Sequence, residues 1–216
     1  MNSNDTRTSA PLIPEPTLRR LPWYLAYVSL LHTRGVAYVS STAIAREINV
    51  ESSQIAKDLS YLAIKGKTRI GYEVGELERV LRGFLGFNRD HNAVMIGVGS
   101  LGAALIADSG LKRYGLDIVA GFDVAPAVIG TTIGSVPIFD MVRFAELRRP
   151  LGADIAIIAV PVEQAQPVAD AAVAAGIKGL WNFAPCRLRV PDGIVIENTS
   201  FYAHLAVIYN RLAPRP

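Results

Sequence analysis

Apolar residues in the first third of the chain recur at helical spacing. Between Thr17 and His32, Leu18, Leu21, Leu25, Val28 and Leu31 fall three and four residues apart, the pattern of one buried helix face. Pro14 and Pro16 precede this helix, Pro22 lies in its first turns and Gly35 supplies a stop. Tyr38-Val39 reads as a short extended piece. Ser40 or Ser41 caps a second helix over Thr42 to Ile48, which Asn49 closes. Glu51-Ser52-Ser53 opens a third helix running to about Ala63. Lys65 to Tyr72 alternates and carries two glycines, which predicts a β-hairpin. Helix, short helix, turn, helix and hairpin is the plan of a winged helix-turn-helix, in which the third helix enters the major groove. A helix from Glu76 to about Gly86 then leads to a polar hinge, Asn88 to His91.

Beyond the hinge the pattern changes to continuous apolar runs alternating with helical stretches. Strands are predicted at 93–98, 117–123, 136–138, 154–160 and 179–183, and helices at 101–109, 141–147 and 163–175. Runs such as ADIAIIAV are apolar at successive positions, as in strands buried on both faces of a parallel sheet. The fold class is therefore α/β, an N-terminal winged helix-turn-helix domain followed by a Rossmann-like parallel-sheet domain. A last helix, Asn198 to Leu212, places Phe201, Leu205, Ile208 and Leu212 on one side, with Tyr202 and Tyr209 widening the apolar surface. It must pack either on its own Rossmann domain or on a partner subunit. The predicted boundaries are 14–87, 88–197 and 198–213.

The clearest candidate chemistry is at Ala93 to Leu105, AVMIGVGSLGAAL. A strand is followed by Gly97-x-Gly99-x-x-Gly102 and a helix start. Gly97 allows the tight turn, Gly99 lets the backbone approach a pyrophosphate, and Gly102 lets helix and strand pack closely. The helix N-terminus offers N–H groups and a positive dipole end to phosphate, so Val98, Ser100 and Leu101 join the candidate site. The run DIVAGFDV ends in Asp123, about twenty residues past the last glycine, where a carboxylate accepts hydrogen bonds from ribose hydroxyls. A carboxylate there repels a 2′-phosphate, so the expected cofactor is NADH or NAD⁺ rather than the phosphorylated form.

Composition narrows the setting. The chain has 216 residues, 50% of them apolar, yet no apolar run approaches the ~18 residues that span a membrane. Met1 to Leu12 is polar and Ser/Thr-rich, with disorder expected and no signal-peptide pattern. Cys186 is the only cysteine, which precludes an intrachain disulfide and fits a cytoplasmic location. His32, His91 and His204 lack metal-ligand spacing. Net charge is +3, and the excess is local: residues 1–90 carry 12 basic against 9 acidic side chains, residues 91–216 carry 10 against 10. Gln54 to Tyr72 contains Lys57, Lys65, Lys67 and Arg69 against Asp58 alone, a cluster suited to DNA.

These residues resemble the Rex family of redox-sensing transcriptional repressors. The likeness runs from Ile13 to Leu212 through TLRRLPWYL, the serine pair before the second helix, QIAKDLSYL, GKTRIGY, the glycine motif, FDV, AVPVEQAQ and WNFAP. The resemblance implies a homodimer on inverted-repeat operator DNA. In that family NADH closes the dimer and releases DNA, and the C-terminal helix is domain-swapped. It adds Val160, Pro161, Asn182, Phe183, Ala184 and Pro185 to the cofactor site, after strands whose carboxyl ends hold ligands in such sheets. An apolar nicotinamide pocket favours the neutral reduced ring over the cationic one. The implied DNA-facing residues are Ser41, Ser52, Ser53, Gln54 and Lys57, then Lys65, Lys67 and Arg69 in the wing, with Ser60 and Tyr61 on phosphate.

Several positions depart from the family. Ala56-Lys57 stands where Arg-Lys is usual, and the wing arginine is shifted to Arg69. An arginine on the first helix and an aspartate opening the swapped helix hold the family's closed form; here those positions are Ala26 and Ser200. Ser109 replaces an aromatic residue near the nicotinamide. An NAD-dependent oxidoreductase is the alternative, but no catalytic acid–base pair is recognisable. Tyr61-x-x-x-Lys65 has dehydrogenase spacing, yet it lies before the glycine motif. A Rossmann unit for coenzyme A is a third reading.

Overall fold

The computed structural model describes residues 13–212. The polar stretch Met1 to Leu12 and the end of the predicted last helix, Ala213, lie outside the described residues. The chain divides into two compact units between Asn88 and Arg89.

The first unit contains α1 (Glu15–Thr33), β1 (Tyr38–Val39), α2 (Ser41–Ile48), α3 (Ser52–Leu59), β2 (Tyr72–Glu73) and α4 (Val74–Leu85). Its core joins Leu21, Tyr24, Leu25 and Val28 of α1 to Ile44, Ile55, Leu59, Leu77 and Leu81. Leu18, expected on the core face, is exposed, and Thr17 is buried in its place because its hydroxyl donates to buried Asp58. Ser40 caps α2 by accepting from the Ala43 N–H at 3.1 Å, and Asn49 ends it in the left-handed conformation at φ 55°.

Two local expectations are corrected. The third helix stops at Leu59 rather than Ala63, with the Ser60 hydroxyl donating to the Lys57 carbonyl at 2.6 Å. The turn that follows brings Leu62 and Ile64 into the core. The hairpin over Lys65 to Tyr72 shrinks to one bridge, Lys67 to Gly71, closed by a turn containing Arg69 at φ 66°. Its outgoing strand, β2, pairs antiparallel with β1 instead.

The second unit contains β3 (His91–Ile96), α5 (Ser100–Ala107), α6 (Ser109–Arg113), β4 (Leu116–Asp123), β5 (Thr132–Ile133), β6 (Val136–Asp140), α7 (Phe144–Leu147), β7 (Ile155–Ile158), α8 (Val162–Ala174), β8 (Gly179–Asn182), β9 (Val195–Asn198) and α9 (Phe201–Leu212). The sheet order is β5-β6-β4-β3-β7-β8-β9, parallel except for β5. Counted from β3 and leaving out β5, this is the 3-2-1-4-5-6 order of a dinucleotide-binding fold, which reverses direction between β3 and β7. Val94 and Ile96 pack on one face of the sheet, Ala93 and Met95 on the other.

His91 opens β3 rather than closing a hinge. The helix predicted over 101–109 breaks at Asp108, whose extended backbone and carboxylate cap α6 through the Gly110 and Leu111 N–H groups. β5 and β9 are short edge strands that local pattern did not reveal. β9 also moves the start of the last helix from Asn198 to Phe201.

Candidate nucleotide and nucleic-acid sites

In the second unit the backbone ladder runs one residue past each strand before the chain turns. Gly97 N–H donates to the Phe122 carbonyl at 2.9 Å, Ala159 N–H to Ile96 at 2.8 Å, and Phe183 N–H to Ile158 at 2.9 Å. These ends bring Gly97 to Gly102, Asp123, Val160-Pro161 and Phe183 to the carboxyl edge of one sheet. Each glycine meets a different demand. Gly97 has φ 90°, and a Cβ there would lie 2.5 Å from the Ala159 carbonyl oxygen. A Cβ at Gly102 would collide with the Gly97 carbonyl oxygen. A Cβ at Gly99 would meet no atom within 4 Å beyond its chain neighbours, so the open side of this turn faces away from the fold. No side chain caps α5, whose first turn presents Ser100, Leu101 and Gly102.

Asp123 is tied to this turn. Its carboxylate accepts from Val98 N–H at 2.6 Å, Val124 N–H at 2.7 Å and Ala125 N–H at 2.9 Å. The acid therefore fixes the glycine turn against β4 while remaining half-buried, with about one lone-pair site, on Oδ2, left for a hydroxyl donor. An open glycine turn beside a carboxylate fits an adenosine diphosphate moiety with a free ribose.

Two residues expected at the cofactor play another part. Asn182 is fully buried, donating to the carbonyls of Ala184 (3.3 Å) and Cys186 (2.8 Å) and to Asn198 Oδ1 (3.0 Å). It accepts from Ala184 N–H at 3.0 Å, and Ala184 is itself buried. Both shape the loop from beneath. Pro161 and Pro185 are exposed, and Phe183 is half-buried between Trp181 and Phe201, with ring centroids 4.8 and 6.0 Å away. Among the described residues α9 has no buried side chain, and Tyr202, Tyr209 and Leu212 are 64–75% exposed.

In the first unit, Ser52, Ser53, Lys57 and Ser60 lie exposed along and just beyond α3, and Lys65, Lys67 and Arg69 are exposed in the wing. Ser41 and Tyr61 are half-buried. Lys67 Nζ donates to the Tyr38 hydroxyl at 3.1 Å and lies 5.2 Å from that ring's centre, which ties the wing to β1. Gln54, expected on DNA, instead donates to Asp58 Oδ1 at 2.7 Å.

Asp58 was legible in the sequence only as one acid in a basic stretch. It is fully buried and also accepts from Thr17 Oγ1 (2.9 Å), Arg20 Nε (2.7 Å) and Nη2 (2.8 Å), and Tyr24 OH (2.6 Å). Burial pushes its carboxyl upward, but the hydrogen bonds from Arg20, Tyr24, Gln54 and Thr17 outweigh that and hold it at about 2. Burial, together with the hydrogen bond that its hydroxyl donates to Asp58, pushes the Tyr24 phenol upward. The network clamps α3 onto α1. Only a charged pair separated by 38 residues, Arg20 and Asp58, could have hinted at it.

Comparison with known proteins follows this division. Residues 12–60 match a family described as "putative DNA-binding protein N-terminus", and residues 88–186 match "CoA binding domain". A redox-sensing transcriptional repressor Rex from Bacteroides fragilis is 55% identical, covering 98% of this chain and 96% of that protein. A crystal structure of RSP in complex with β-NAD⁺ and operator DNA has a TM-score of 0.89 at 33% identity, covering 93% of each chain. RSP in complex with β-NADH has a TM-score of 0.85 at 33% identity, covering 93% of this chain and 94% of that one.

Proposed function

The chain belongs to the Rex family of redox-sensing transcriptional repressors, and we propose that it represses through a winged helix whose grip on operator DNA depends on NADH against NAD⁺ at Gly97–Gly102 and Asp123. It is a regulator and not an oxidoreductase. The observation that carries the reading is the open face of Gly99 beside the Asp123 carboxylate, in a chain whose other unit is a winged helix with an exposed basic wing.

When bound, the cofactor supplies a nicotinamide ring that is cationic when oxidised and neutral when reduced. Pro161, Phe183 and Pro185 give that end of the site apolar walls, which penalise the cation by desolvation. Asp123 accepts from the adenosine ribose, which favours NAD(H) over a 2′-phosphorylated dinucleotide. The "CoA binding domain" match agrees with an adenine nucleotide site in general, whereas the NAD⁺ and NADH complexes of RSP point to the dinucleotide. Among the described residues no helix is long and apolar enough to cross a membrane, and the proposed site of action is cytoplasmic DNA.

The proposed assembly is a homodimer exchanging α9. An apolar helix with no buried residue calls for a covering surface, and a second copy supplies it symmetrically. Ala26 lies exposed beside Trp23, Tyr27 and Leu30 on α1, and Ser200 caps α9 by accepting from Ala203 N–H at 3.3 Å. With neither the arginine nor the aspartate at these positions, the closed dimer is held less tightly than elsewhere in the family.

The test is fluorescence anisotropy of a labelled inverted-repeat duplex, titrated separately with NADH and NAD⁺ at fixed salt. Release by NADH but not NAD⁺ is the expected result. Tight binding indifferent to both would refute the redox switch, and no specific binding would refute the operator assignment.

A further inference from the structure

Apart from Lys57, the exposed stripe along α3 and its C-cap is made of small side chains. Ser53, Ala56, Lys57 and Ser60 recur at i, i+3, i+4 and i+7 and are exposed, opposite buried Ile55, Asp58 and Leu59. An amide such as Gln54 is the usual bidentate reader of adenine. Here it is engaged with Asp58, and turning it toward a base would strip a hydrogen bond from a fully buried carboxylate. The Ser60 hydroxyl is likewise spent on the Lys57 carbonyl. What remains to meet base edges is the Ser52 and Ser53 hydroxyls, the Ala56 methyl and the Lys57 ammonium. Among groups in the major groove, a methyl has one apolar counterpart, the 5-methyl of thymine.

We infer that Ala56 is a specificity-determining residue that reads a thymine methyl in each half-site, and that Gln54 is a positioning residue that reads no base. The inference rests on the operator-binding reading above. Short side chains let α3 approach closely, so the Ala56 methyl is excluded from water against its partner.

The test uses the full chain and a duplex enriched by binding selection from inverted repeats with randomised half-sites. Symmetric thymine pairs are replaced, one pair at a time, by deoxyuracil, which lacks only the methyl. One pair is expected to weaken binding about tenfold across the two half-sites. In Ala56→Gly the same replacement should cost less than twofold. Ala56→Arg should move preference at that base pair to guanine, while Gln54→Ala should lower stability and leave the ranking of single-base operator variants unchanged. Tolerance of deoxyuracil everywhere, an undiminished loss in Ala56→Gly, or a changed ranking in Gln54→Ala overturns the inference while operator binding stands. Failure to enrich any duplex overturns the operator-binding reading and this inference with it.

Discussion

Asp58→Asn isolates the electrostatics of the α1–α3 clamp, because the two side chains have nearly the same volume and no cavity is left. The wild-type carboxylate is fully buried and accepts five hydrogen bonds, two from Arg20 and one each from Thr17, Tyr24 and Gln54. Breaking a buried ion pair costs about 3–5 kcal/mol, and the side chain of Arg20 is 27% exposed, so the lower end, about 3 kcal/mol, is expected. In a unit of this size that lowers its melting temperature by roughly 12–24 °C. Native-state hydrogen exchange over residues 52–62 reads the effect locally. The sign of the pH dependence follows from the lowered carboxyl. Its stabilisation is fully present above its ordinary value of 3.8 and is lost as pH falls toward about 2. The gap between wild type and Asp58→Asn should therefore narrow by about 2 kcal/mol between pH 5 and pH 2. A variant within 1 kcal/mol of wild type at pH 7, or a gap that does not change with pH, would refute the reasoning.

Gly99→Ala should leave thermal stability unchanged, since φ is −72° and no atom beyond its chain neighbours lies near the new Cβ, yet weaken NADH binding more than tenfold by calorimetry. Lys67→Ala should weaken DNA binding at every sequence and reduce the salt slope by about one, and a change confined to sequence preference would argue against a phosphate contact. Ala26→Arg combined with Ser200→Asp should strengthen NADH-driven release of DNA, because the pair is restored and aspartate still caps α9. An unchanged release curve in the double variant would count against the weakened-lock proposal.

The elements with their own punctuation were legible in the sequence. Ser40 and Asn49 bound α2, Gly97-x-Gly99-x-x-Gly102 sets the turn before α5, and apolar runs mark β3, β4 and β7 as interior strands. These depend on interactions within one turn or on burial on both faces, so neighbouring residues report them. Asp123 was legible too, as an acid at a fixed distance from the glycines, although its role in fixing the turn through Val98 was not. Tertiary structure decided the rest. β9 exists because β8 supplies its backbone partners, and the wing is short because β2 pairs with β1. Asn182 and Gln54 looked like ligand-facing amides, but a buried loop and a buried carboxylate claim them first. A polar side chain that can satisfy a buried partner is held there, because leaving that partner unsatisfied costs more than a contact with solvent or ligand returns. The sequence by itself determined which residue types were available to the two sites; long-range packing decided which of them stay free to bind.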